Sequence, residues 1–91
     1  MPWKVINYGR AENADENVAV HRTGFRSLVY SRGDRSVHID VEAGDDDLGV
    51  YKQSIERWKE TGERIGEDER ARIMADVTTA LRLLRVPFTW E

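Results

Sequence analysis

Histidine flanked by carboxylates at alternating positions is the first arrangement in this chain with chemical potential. His38, Asp40 and Glu42 recur every second residue, so an extended backbone places them on one face at about 7 Å intervals. Such a set, joined by His21 from a nearby strand, could supply metal ligands or an acid/base pair. The plainer reading is a strand with one wet face, because polar residues fall at alternate positions on any such strand. No further ligands stand at a recognisable spacing.

Other groups invite similar weighing. Asp45-Asp46-Asp47 is as acidic as a calcium loop, but it lacks that loop's alternate spacing and downstream bidentate glutamate. It reads as a solvated turn or as a negative tip able to steer a basic partner. Tyr51 follows closely and joins it as a candidate contact. Arg22, Arg26, Arg32 and Arg35, with Phe25 and Tyr30 among them, have the composition of a nucleic-acid-binding sheet. The formal net charge of -3 and the lack of any motif for reading bases argue against that use. Trp58, one helical turn after Ile55, is either core or an interface anchor. No nucleophile elbow, phosphate loop or dinucleotide fingerprint occurs, so the ordinary enzyme classes gain no support, and the rival reading of an enzyme or metal-binding domain rests on the His38, Asp40 and Glu42 face.

These residues need positioning, and the local signals outline how. Val37, Ile39 and Val41 alternate with the polar triplet, which predicts a strand buried on one side. Val18 to His21 and Phe25 to Tyr30 read as a hairpin around Thr23-Gly24, and Gly33 supplies the turn into the third strand. Gly44 to Asp47 turns the chain into a short strand at Leu48 to Tyr51. A leading strand around Trp3 and Val5 is weakly signalled, and Gly9 to Asn17, being polar, reads as a loop. From Glu67 to about Arg85, the residues Ile73, Met74, Val77, Ala80, Leu81 and Leu84 form a helical stripe, opposite Arg72, Asp76, Thr79 and Arg82. Gly66 as N-cap, the acids Glu67-Asp68-Glu69 and the stop at Pro87 bound the helix. Phe88 to Trp90 can then run as a terminal strand. The expected fold is α+β, an antiparallel sheet of about four strands with a long C-terminal helix packed on one face.

With 91 residues, 40% of them apolar, the chain holds a single domain over residues 1–91 and a thin core. A core of that size gains from assembly into homo-oligomers. The absence of cysteine removes thiolate chemistry and suits a cytoplasmic setting. No signal peptide or membrane span is expected, and no cofactor is called for.

The order of residues from Glu42 onward resembles the immunity protein 74 family of bacterial polymorphic toxin systems. The resemblance rests on Glu42 at a strand end, the short strand Leu48 to Tyr51, Ser54-Ile55 followed by Trp58, the helix start Gly66-Glu67-Asp68-Glu69-Arg70, Ile73, and a brief strand after Val86. It spans about half the chain. It implies an α+β protein without catalysis of its own that binds and neutralises a cognate toxin. The contact residues expected for such a partner are Asp45, Asp46, Asp47, Tyr51 and Trp58.

Overall fold

A computed structural model describes residues 2–24 and 26–91. It corrects the expected architecture. The chain forms a seven-stranded, curled sheet resembling half a barrel, with one helix near the C-terminus, and strand outweighs helix. The strands are β1 (Trp3–Asn7), β2 (Arg10–Asn13), β3 (Val18–Arg22), β4 (Ser27–Arg32), β5 (Arg35–Ala43), β6 (Leu48–Val50) and β7 (Phe88–Trp90), and the 17-residue helix α1 spans Glu67–Leu83. Neighbours in sequence are neighbours in the sheet. All pairs are antiparallel except β6 and β7, which run parallel. The chain leaves β6, passes through α1 and returns in the same direction, which an antiparallel meander does not allow.

One of the extra strands lies where the sequence is silent. Gly9 to Asn17, expected as a loop, contains β2. Its inward residues are Ala11 and Asn13, a pair with too little apolar surface to give a strand signal. Asn13 is 2% exposed, and its side chain is satisfied by the Glu16 amide at 3.3 Å and the Glu16 carboxylate at 3.1 Å. Burial of such a group is tolerable because both its donor and its acceptor are engaged. The strand expected from Phe25 to Tyr30 begins at Ser27, and Phe25 lies outside the described residues.

The nine-residue β5 shapes the sheet. Arg35 to Asp40 pair with β4, whereas Val41 to Ala43 pair with β6. The strand thus hands over from one partner to the next along its length. Gly33 at φ +61 opens the β4–β5 turn in a conformation that costs glycine nothing. Val37, Ile39 and Val41 face the core while His38, Asp40 and Glu42 are exposed, so the alternation read from sequence holds.

The inner face of the sheet meets Ile73, Val77, Ala80 and Leu81 of α1, and Ile55, Trp58 and Ile65 of the segment between β6 and α1 close one end. Gly66 is the N-cap, and its amide donates to the Glu69 carboxylate at 3.3 Å. Asp76 departs from expectation. It was placed on the wet side of the helix, yet the curl of the sheet brings β4 to it. The Tyr30 hydroxyl donates to Asp76 Oδ2 at 2.7 Å, Arg32 Nη2 reaches the same oxygen at 3.0 Å, and Arg32 Nε donates to the Tyr30 oxygen at 3.1 Å. Burial and the bond to Asp76 push the Tyr30 pKa well above its ordinary value. This triad fixes how the helix lies on the sheet. Asp76→Ala is expected to cost about 1 to 3 kcal/mol, because it leaves the Tyr30 hydroxyl proton without an acceptor and takes from Arg32 the nearer of its two carboxylates. Urea unfolding would measure it, and a change inside 0.5 kcal/mol, the range of a plain surface substitution, would deny the triad that role.

Candidate protein-binding face

The outer surface of the β5–β6–β7 end is built by local turns and one long-range pairing. Register sets Glu42 opposite Gly49 and Gly49 beside Thr89. The Tyr51 amide donates to the Asp40 carbonyl at 2.9 Å, and the Glu91 amide donates to the Val50 carbonyl at 2.8 Å. Asp40, Glu42, Tyr51 and Glu91 therefore share one face, away from the core. Ser54 holds this arrangement from below. Its hydroxyl donates to the Tyr51 carbonyl at 2.6 Å and accepts the Asp40 amide at 2.9 Å.

Tyr51 sits among carboxylates. Its hydroxyl donates to Glu42 Oε2, and that bond, reinforced by slight burial and the charges of Glu42 and Glu91, raises its pKa. Only Gly49 lies between Glu42 and Thr89 on this face, and the Glu91 side chain runs across it, 3.4 Å from where a Cβ would stand. The face thus presents an aromatic ring within a rim of negative charge. Arg26 borders it on the β4 side.

The three aspartates of the β5–β6 turn have different tasks. Asp47 is structural: its carbonyl accepts the Gly44 amide at 2.8 Å, and its carboxylate accepts the Thr89 hydroxyl at 2.6 Å. Gly44 is required in this turn, since a Cβ there would come within 2.9 Å of the Asp47 carbonyl. Asp45 and Asp46 are exposed and form the tip, beyond the strand residues Leu48 to Val50 and roughly 17 to 20 Å of extended chain from Tyr51 at about 3.3 Å per residue.

Trp58 does not join this face. It is 3% exposed, its ring centroid lies 6.5 Å from that of Tyr30, and the Arg35 guanidinium lies 5.0 Å above it. Of the two readings of Trp58, core residue or interface anchor, the core reading holds: its segment folds back over the sheet end, where Lys59 N donates to Ser36 O at 2.8 Å and Glu60 accepts from the Ser36 amide at 2.6 Å.

The rival constellations are dispersed. His21 and His38 both lie beside Val29, on opposite sides of β4, so their strands are about 10 Å apart. Among the described residues no group of three or more histidine and acidic side chains is placed to hold a metal ion. Zinc or manganese is accordingly expected to leave the melting temperature unchanged. A rise abolished by both His38→Ala and Asp40→Ala would reverse that reading. Within the arginine group, Arg32 is bound to Asp76 and Glu16 and Arg35 covers Trp58, which takes two of the four out of any phosphate-holding surface.

Glu91 and Thr89 escaped the sequence reading. The terminal strand was expected, but no local signal says that it pairs in parallel with β6 and so delivers Glu91 to Tyr51. No helix of the described residues is long and apolar enough to cross a membrane. Compared with protein-family models, curated proteins and solved structures, the chain matches none of them.

Proposed function

We propose that this chain is a cytoplasmic protein-binding module that neutralises a cognate bacterial toxin, without catalysis of its own, by setting its acidic sheet face against a basic surface of that toxin. The observation that carries the reading is the convergence of Asp40, Glu42 and Glu91 around Tyr51, continued by Asp45 and Asp46 at the hairpin tip. An aromatic residue within a charged rim supplies contact area at the centre and steering at the edge. The resemblance of the C-terminal half to toxin-immunity proteins supplies the class of partner.

Binding kinetics against the product of the adjacent gene test this reading. Changing Asp45 and Asp46 to asparagine keeps good turn residues and leaves the Asp47–Thr89 bond in place. Association is expected to slow roughly tenfold at low salt, with a flatter dependence on ionic strength. Tyr51→Ala is expected instead to raise the dissociation rate. Unaltered kinetics in both variants would remove the face from the interface, and no binding by the unmodified chain would count against the immunity role.

A further inference from the structure

The segment from Ile55 to Gly66 turns one side to the core and the other to water. Arg57 and Arg64 are paired across an antiparallel bridge. The bonds beside them run from Trp58 N to Glu63 O at 3.0 Å and from Ile65 N to Glu56 O at 2.8 Å. Bonds in those flanking positions make Arg57 and Arg64 a non-hydrogen-bonded pair, the arrangement that brings opposed side chains closest in antiparallel structure. Since Trp58 and Ile65 are buried, alternation sends both arginines outward together.

Arg70, from the first turns of α1, lines the same cleft of about 270 Å³ together with Glu56. Two of the guanidinium groups are held by main-chain oxygens: Arg57 Nη1 donates to Gly62 O at 3.0 Å and Arg70 Nε to Ile55 O at 3.2 Å. These bonds restrain the side chains and leave most of each group's five donors unused. Among the described residues none of the three forms a salt bridge. Arg32 and Arg35 are also opposed, across the β4–β5 hairpin, but there Asp76, Glu16 and Trp58 offset the repulsion. At Arg57 and Arg64 no salt bridge among the described residues does, and like charges directly opposite are destabilising.

We propose that Arg57, Arg64 and Arg70, with Glu56, form a binding site for inorganic phosphate. Guanidinium forks match the oxygens of an oxyanion. A lone carboxylate would offset only one of the three positive charges, whereas a tetrahedral phosphate offers oxygens in several directions and up to two charges. The cleft is smaller than the usual site for a drug-sized ligand and suits a compact ion. Glu56 refines the choice, because an ionised carboxylate only accepts hydrogen bonds. It repels a fully deprotonated oxyanion and accepts the remaining proton of hydrogen phosphate. Sulfate has the shape and the charge but no proton to offer.

The test is an NMR titration of the whole chain with inorganic phosphate at constant ionic strength. Amide resonances of Glu56, Arg57, Arg64 and Arg70 are expected to move and saturate, with sulfate binding at least several-fold more weakly. Arg64→Gln is the informative variant because Arg64 makes no side-chain hydrogen bond among the described residues. It is expected to weaken phosphate binding about tenfold or more, while thermal stability without phosphate stays level or rises as the repulsion is relieved. Glu56→Gln is expected to bring sulfate up to phosphate. The proposal is overturned if sodium chloride gives the same shifts, if Arg64→Gln retains full affinity, or if sulfate binds the unmodified chain as tightly as phosphate. O-phosphoserine, whose phosphate is mostly unprotonated at about pH 7.5, is expected to bind more weakly than the inorganic ion. Tighter binding of O-phosphoserine would assign the cleft to phosphorylated ligands and overturn the proposal as stated.

Discussion

Trp58→Ala is expected to remove about 3 to 5 kcal/mol of stability, as truncation of a buried tryptophan typically does. The side chain is enclosed by the sheet end, touches Tyr30 and lies beneath Arg35. Its loss leaves a cavity and uncovers a cation–π contact of about 0.5 to 1 kcal/mol. A second substitution separates packing from polarity. Among the described residues the buried Trp58 Nε1 has no hydrogen-bond partner, so Trp58→Phe sacrifices no bond to them and removes a donor that they leave unsatisfied. It is expected to cost less than half as much as the alanine variant. Guanidinium unfolding measures both, and hydrogen exchange at the Lys59 amide, which bonds to Ser36, reports whether the covering segment has come loose. A loss under about 1 kcal/mol for Trp58→Ala would return Trp58 to the surface and reopen its candidacy as a partner contact.

Leu81→Ala is expected to cost about 2 to 5 kcal/mol. Leu81 is fully buried beside Val77 on α1, and its carbonyl accepts the Val86 amide at 3.0 Å as the chain leaves the helix. A domain of this length has stability on the order of 5 to 14 kcal/mol, so the substitution removes a large fraction of it. Arg82→Ala, one residue along and exposed, is expected to stay within about 0.5 kcal/mol. Equal unfolding midpoints for the two variants would refute the helix face drawn here.

The sequence by itself determined the features that depend on a few adjacent residues. The wet and dry faces of β5 follow from strict alternation. The start of α1 follows from Gly66 and three acids, and its buried stripe from spacings of three and four. The β4–β5 turn follows from the freedom of Gly33. Each of these is decided within a turn or a strand by backbone sterics and side-chain periodicity. The tertiary structure alone decided the rest. β2 exists because β1 and β3 offer it partners on both sides, not because Arg10 to Asn13 favours extension. The parallel pairing of β7 with β6, which assembles Glu91, Glu42 and Tyr51 into one acidic face, depends on where α1 returns the chain. The same curl turned Asp76 from a solvent-facing residue into the hydrogen-bond partner of Tyr30 and Arg32, and folding of the covering segment took Trp58 inside. Apart from β2, whose partners are close in sequence, free energy in these cases comes from contacts between residues more than twenty positions apart, such as Tyr30 and Asp76, and no local pattern encodes which distant surface a given side chain will meet.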